Sequence, residues 1–407
     1  MNNIVKVLEK KLCINCSSCA EVCPENCIKM IYKHGNYYPE VNGCINCGLC
    51  TKVCPSINNS YDPSIITNET LYEDILLRSY IAWNNNHNIR FNSTSGGLVT
   101  QLLLNLFDEK FVDYIFGVKS DGINNKVKYQ LLTSKEDILS SSKSKYINPD
   151  MQDLLKHIKE YPDSKYAIVL LPCHIQAILN YIKLYKLNRE NFYLIGLICG
   201  RTMNYNFIRY IEKVHLKKQK LVNIDYTSKE KNGYHADIKC ITDGETVFLG
   251  QNIRKNVRDF FSNDRCIACG EKLNVMSDIS FGDILSLPKI YTRDGESCVL
   301  VWSNRGAKLF DLVKSNIEIY DKMVNLLRIH NIPGIVTKTK YGIILDLYKL
   351  PNIILDKKLG RRLKAKMKIA KLGKRKKYFN FVYMYSHLLI LKKSVYAKVS
   401  KRIHSAK

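Results

Sequence analysis

The sequence predicts a mixed α+β to α/β chain: a small cysteine-rich N-terminal module, a larger α/β domain and a basic helical tail. Three observations carry this. Nine of the fifteen cysteines lie before residue 55, eight of them in two copies of one spacing. Between residues 76 and 345, β-rich apolar runs alternate with stretches of helical periodicity, the pattern of α/β and α+β domains. From Asp356 onward, eighteen Lys and Arg stand against one acidic residue, a net of +17 out of the chain's +26. With 46% apolar and 25% charged residues, the chain can build an ordinary core and is not a disordered polymer. Its 407 residues suit two or three domains.

The first element is the module at 1–58. Its opening eleven residues lack the apolar run of a secretory leader, so a reducing, cytoplasmic setting is expected. In that setting, clustered cysteines serve as metal ligands rather than disulfides. Cys13-x2-Cys16-x2-Cys19-x3-Cys23-Pro24 recurs as Cys44-x2-Cys47-x2-Cys50-x3-Cys54-Pro55. Three thiolates separated by two residues each wrap three iron corners of one cubane, and the fourth, before proline, reaches the other cluster. One [4Fe–4S] cluster is therefore assigned to Cys13, Cys16, Cys19 and Cys54, and the second to Cys44, Cys47, Cys50 and Cys23. Paired zinc sites would need four ligands each and give no reason for the repeated third cysteine, x3 step and proline. This is the spacing of a dicluster ferredoxin fold, and it makes the chain an electron-transfer protein or redox enzyme fed by ferredoxin or another redox protein. Cys27, Cys240 and Cys298 read as small core hydrophobes.

A polar stretch at 59–75 reads as a linker to the larger domain at 76–345. There the runs at 166–171, 192–199 and 299–303 read as strands, and 98–107 and 176–185 as helices. The first two strands lead into Cys173 and Cys199. If they lie parallel in one sheet, both cysteines emerge at its carboxyl edge, where such sheets build their sites. Cys266-x2-Cys269 supplies a further chelating pair. Four ligands from three loops would hold a third cubane; the alternative is buried strand-end cysteines beside a zinc-binding or idle pair.

No G-x-G-x-x-G is present, so a Rossmann cradle is not on offer. The substitute is the Asn-Ser-Thr-Ser-Gly-Gly run at 92–97 leading into an apolar helix. Hydroxyls, glycines and exposed amides at a helix N-terminus make an anion pocket, with Ser95, Gly96 and Gly97 as the residues nearest a phosphate. A plain cap with a glycine turn reads equally well there.

Several stretches resemble one family: RFNSTSGG at 90–97, SKY at 144–146, PCHIQAI at 172–178, ICGR at 198–201, CIAC at 266–269, SDISFGD at 277–283 and GESCVLVW at 295–302. In order and spacing they resemble the beta subunits of the coenzyme F-420-reducing hydrogenases and dehydrogenases. Their bacterial relatives include flavin-dependent reductases and proteins associated with exopolysaccharide gene clusters. The resemblance implies a flavin-binding reductase domain with FAD and a third [4Fe–4S] cluster on Cys173, Cys199, Cys266 and Cys269. Lys145 would then place a cation by the flavin, and Asp278, Gly282 and Asp283 join the site by their place in the matching stretch. His174 is the nearest candidate for a general acid. His174 and Arg201 both depart from the family's pattern, so the deazaflavin coenzyme is not assumed as substrate.

The last element is the tail at 346–407. Leu359, Leu363, Met367 and Ala370 fall at helical spacing, and a mostly apolar, aromatic run at 378–391 sits between lysine clusters. That run is too short to span a bilayer and suits its interface, where lysines attract anionic lipid. An anionic membrane surface, on the inner face of the cell membrane, is therefore the expected partner of the tail, not nucleic acid. The whole reads as an iron–sulfur flavoprotein oxidoreductase. Single electrons pass through the clusters to a flavin that reduces an organic acceptor, with polysaccharide biosynthesis as one setting. The alternatives are a non-catalytic electron-transfer subunit or a coenzyme F-420 oxidoreductase.

Overall fold

The computed structural model describes residues 3–58, 76–120, 126–284 and 293–322, apart from positions 10, 235, 264, 267, 268 and 270. The linker expected at 59–75 and the tail at 346–407 lie outside the described residues. The strands are β1 (Ile28–Lys33), β2 (Asn36–Val41), β3 (Arg78–Asn84), β4 (Tyr114–Ser120), β5 (Val127–Leu131), β6 (Tyr166–Leu170) and β7 (Phe192–Leu197). They continue as β8 (Leu221–Ser228), β9 (Asp237–Thr242), β10 (Thr246–Leu249), β11 (Ile279–Asp283), β12 (Ser297–Val301) and β13 (Ile317–Lys322).

The N-terminal module is the antiparallel hairpin β1–β2 with two one-turn helices, Ser18–Glu21 and Leu49–Val53. Each helix begins directly after a left-handed residue, Ser17 at φ 64° and Gly48 at φ 77°. That geometry closes the cysteine loops at equivalent points of the two copies.

The larger domain is built on an eight-stranded sheet in the order β13-β3-β12-β11-β7-β6-β4-β5. Its centre, β4, β6, β7 and β11, is parallel, and antiparallel strands finish both sides. β6 is buried at every residue, as befits an uninterrupted apolar run in a parallel sheet covered on both faces. The expected strands are thus present within one or two residues of their predicted ends, and β6 and β7 are adjacent and parallel. The mixed α/β class holds. One helix begins earlier than its periodicity suggests: Pro172–Tyr185 starts at the proline, whose fixed φ suits the first helical position. Cys173 and His174 therefore sit in a first helical turn rather than a loop. A separate three-stranded sheet, β10-β9-β8, stands beside the main one.

The N-terminal module is not a bead on a string. Ile4, Val7, Ile14 and Val53 share one apolar cluster with Leu154, Ile175, Ile178 and Tyr181 of the larger domain. The Met151 amide donates to the Cys16 carbonyl (3.0 Å), Asn148 to the Ile14 carbonyl (2.6 Å) and Asn180 to the Asn58 carbonyl (2.9 Å). On the other side, the Tyr205 amide donates to the carbonyl of Gly35 in the hairpin turn at 2.7 Å. Rings of Tyr32, Tyr37 and Tyr205 pack edge-on there, 5.2 to 6.2 Å between centroids.

Candidate redox site

The ferredoxin loops fit cubanes by their backbone. Asn15 and Asn46 occupy the same place in the two copies and both take left-handed φ, 63° and 58°. Their amides point at the thiols of Cys13 and Cys44, 3.4 Å away in each case. Such N–H donors stabilise a ligating thiolate. Burial pushes the Cys19 thiol well up, and the thiols of Cys16, Cys13 and Cys54 add to that, followed by Cys50. Burial likewise raises Cys50, with Cys44, Cys47 and Cys23 as its charged neighbours. Cys16, Cys19, Cys23, Cys50 and Cys54 lie in one buried cluster with Cys13 packed against it; the crossed assignment is that of the spacing. Four closely set thiols whose deprotonation is mutually costly are what a polynuclear cation relieves.

Cys27 packs at the edge of the core cluster, as expected of a small hydrophobe. It is half-buried, its Sγ lies 3.2 Å from that of Cys23, and this contact, with burial next, pushes its thiol up to about 12. The four-residue offset after Cys23 returns the chain to the same loop before β1 begins. Cys240 and Cys298 are fully buried in strands β9 and β12, as expected of core residues.

The later cysteines converge. Cys173, in the first turn of its helix, is pushed well up by burial and then by the thiols of Cys266, Cys199, Cys269 and, across the module boundary, Cys16. The Cys199 amide is tied to the Lys272 carbonyl at 2.9 Å, which draws the β7 end to the segment after Cys269. Cys266 Sγ meets the Thr202 hydroxyl at 3.3 Å and Cys269 Sγ the Glu271 carbonyl at 3.3 Å. Cys173, Cys199, Cys266 and Cys269, from three chain segments, are thus electrostatic neighbours near the boundary between the ferredoxin module and the carboxyl edge of the sheet. The residues suit a soft-metal cluster better than an apolar filling.

At that carboxyl edge lies a cavity of about 460 Å³, lined by the 94–97 turn, the ends of β7 and β11 and the Asn252–Phe261 helix. A second cavity of about 770 Å³ adjoins it and shares Ser144 and Lys145. Cys199 lines the first cavity, so the cysteine constellation and the cavity meet. Its wall carries seven Lys or Arg side chains and one carboxylate, Asp283, an imbalance that favours an anionic ligand. The Arg254 guanidinium lies over the Tyr146 ring at 3.8 Å, and Arg201 pairs with Asp259. Burial, then the neighbouring Arg201 guanidinium, pulls Arg258 down. Gly97, at φ 82°, opens the Leu98–Asp108 helix with no side-chain cap, and Leu98, Val99 and Thr100 line the cavity. Uncapped amides at such a helix start are anion donors.

Ser95, Gly97, Lys145, Gly282 and Asp283 all line this cavity. Lys145 Nζ donates to the Ser141 and Ser142 carbonyls, both at 2.5 Å, and burial pushes its ammonium down to about 7. Three expected residues do not face the cavity as foreseen. Gly96 turns inward: its amide donates to Ser297 Oγ at 2.9 Å, and a Cβ would meet the Ala82 carbonyl at 2.8 Å. The glycine is needed for packing against β3 and β12, not for a ligand's approach. Asp278 sits at the opposite, amino end of β11, its side chain 2% exposed, held by Arg189, Arg305, Ser303 and the Leu194 amide. It is a structural ion pair. His174 is fully buried; its Nδ1 meets the Tyr129 hydroxyl at 2.8 Å, and burial pushes the imidazole down to about 3. Tyr129, which faces it, lines the cavity and His174 does not, so the ring does not reach a ligand there.

Sequence reasoning missed Tyr129, Arg254 and Ser297. Arg254 and Arg258 are one helical turn apart in a strongly amphipathic segment, so a cationic face was legible. Tyr129 and Ser297 left no local signal, because their partners lie 45 and about 200 residues away in sequence.

Comparisons with known proteins cover both the N-terminal module and the larger domain. Residues 12–58 match the 4Fe-4S dicluster domain, 79–156 the N-terminal part of the coenzyme F-420 hydrogenase/dehydrogenase beta subunit, and 163–324 its C-terminal part. An uncharacterized protein of Methanocaldococcus jannaschii is 30% identical over 58% of this chain and 63% of its own length. The beta subunit of the F-420-dependent formate dehydrogenase 1 of Methanococcus maripaludis is 30% identical over 46% of this chain and 47% of its own. One subunit of the F-420H2 dehydrogenase of Methanosarcina mazei is 24% identical over 78% of this chain and 87% of its own. The chain thus spans less than two thirds of the first two of these relatives. Dicluster loops, a parallel-centred sheet and both family matches together place this chain in the coenzyme F-420 hydrogenase/dehydrogenase beta-subunit family.

Proposed function

We propose that this chain is an iron–sulfur flavoprotein oxidoreductase. The observation that carries the reading is a row of cysteines from the ferredoxin to the cavity: Cys173 packs against the cluster that holds Cys16, Cys19 and Cys54, and Cys199 lines the cavity. Cys173, Cys199, Cys266 and Cys269 would hold a third [4Fe–4S] cluster between the ferredoxin clusters and the cavity. FAD in the cavity would set its pyrophosphate against Ser95, Gly97 and the uncapped helix start, with Lys145 as a nearby cation. When bound, a flavin exchanges single electrons with clusters and two electrons with a carbon acceptor. The residues around it bind, orient and exclude water.

The alternative is an electron-transfer subunit serving a separate enzyme, favoured by the names of the relatives, which are subunits of F-420-dependent dehydrogenases. By that route coenzyme F-420 is one candidate acceptor, and the cationic wall suits any anionic one. Among the described residues no helix is long and apolar enough to cross a membrane. Docking to the inner membrane surface, with a lipid-linked glycan precursor as acceptor, rests on the tail's sequence and the family's bacterial relatives.

Anaerobic reconstitution followed by iron, sulfide and flavin quantitation tests the reading. The full chain should bind about 12 iron and 12 sulfide, three cubanes of four, and near-stoichiometric FAD. A Cys199→Ala, Cys269→Ala variant should fall to about eight iron. A full chain that plateaus at eight removes the third cluster; clusters without flavin turn the reading to the electron-transfer subunit.

A further inference from the structure

The two ferredoxin ligand groups sit differently in the molecule. Cys16, Cys19 and Cys54 of the first are at most 8% exposed. That group lies against the larger domain, with the Met151 amide on the Cys16 carbonyl and Cys173 close by. The second group, with Cys23 and Cys50 buried like the first, reaches the surface through Cys47, which is exposed, and Cys44, which is partly so. The Asn46 amide and the Asn3 side chain both reach the Cys44 Sγ, at 3.4 and 3.7 Å. Around it the chain presents Asn42, Gly43, Ile45 and Asn46, all exposed, with Ile45 at 60%. No residue from 41 to 51 is charged, in a chain where a quarter of all residues are.

Electron transfer slows steeply with distance through protein, so a bulky carrier exchanges electrons only with a centre near the surface. We propose that the outer group, Cys23, Cys44, Cys47 and Cys50, is the terminal at which this protein exchanges electrons with a one-electron carrier protein, docked on the uncharged rim at 42–47. The inner group is then an obligatory relay toward Cys173. The rim's chemistry selects the occupant: a carrier whose own centre lies under an uncharged, partly apolar surface, meeting it in the small contact typical of transient redox pairs. Exposed Ile45 gives a desolvation contact in a segment that carries no charge of its own. The proposal rests on the ferredoxin half of the reading above and needs no flavin.

Ferricytochrome c, a cationic protein that takes one electron per haem, serves as probe. Each transfer oxidises the reduced protein by one electron and reduces one ferric haem to ferrous, with no bond or proton changing hands. If the rim is the meeting place, Ile45→Asp should raise the second-order rate and Ile45→Lys should lower it. Each change should be about threefold at low salt and should vanish at high salt. Iron content confirms that both variants keep their clusters; fewer than eight iron in the parent would sink the dicluster reading itself. A second readout is independent of rate: a soluble dysprosium complex should relax the paramagnetic signal of the outer cluster and spare the inner one. Identical cytochrome rates for Asp and Lys at 45, or equal relaxation of both clusters, overturns the proposal.

Discussion

At the scale of single residues, the sequence marks chemistry better than it marks direction. The eight ferredoxin cysteines were legible because their repeated spacing has few competing explanations, whereas Cys173, Cys199, Cys266 and Cys269 are scattered along the chain and needed the family resemblance to be read together. Gly96 shows the opposite case. A glycine beside hydroxyls at a helix start suggests ligand approach, yet this one faces Ala82 and Ser297. Nothing local distinguishes the two, because the clashing atoms come from strands β3 and β12. Gly96→Ala should therefore destabilise the fold by about 1–3 kcal/mol through overpacking, with flavin bound per folded molecule unchanged. A chemical denaturation curve with parallel flavin quantitation checks this; lost flavin at unaltered stability would return Gly96 to the binding surface.

At the scale of elements, the sequence placed the ends of three strands, β6, β7 and β12, and parallel pairing at the sheet's centre did the rest. β4, β6, β7 and β11 run the same way, so their carboxyl ends meet and the cavity forms beyond them. What joins the loops across that edge was not legible. Lys229, just after β8, is 1% exposed and donates to the carbonyls of Arg90 (2.7 Å), Ser95 (2.7 Å) and Asp294. One ammonium thus pins the 90–97 segment and the turn before β12 to the small sheet. Burial pushes it down to about 7, whereas an unfolded lysine keeps its proton to about 10.4. Between those values the unfolded chain binds more protons, so stability rises with pH across the window. Lys229→Met should remove that rise and lower stability by leaving three carbonyls without a donor. Melting temperatures from pH 7 to 10 for both proteins measure it; parallel pH profiles would show that Lys229 does not titrate in this window.

At the scale of the whole molecule, the modules and the tail part company. The sequence suggests a ferredoxin tethered by a linker, but the module's apolar residues enter the larger domain's core. Burial at that boundary fixes the inner cysteines against Cys173, which a swinging tether would not do. The join was illegible because Ile4, Val7 and Val53 read as a small module's own core, which they also are. The tail is the reverse: plain in sequence and beyond the described residues. Its net +17 and the aromatic run at 378–391 should act in two steps. Charge brings the tail to anionic lipid at about 1 kcal/mol per lysine near the surface, and apolar side chains then enter the interface. Salt should weaken that binding without abolishing it, because screening acts on the first step alone. Sedimentation with anionic and neutral liposomes, comparing the full chain with one truncated after Leu355, separates the contributions. The full chain should pellet with anionic liposomes and the truncated chain should stay in the supernatant. Equal pelleting of the two, or a preference for nucleic acid over anionic liposomes, would remove the membrane surface as the tail's partner.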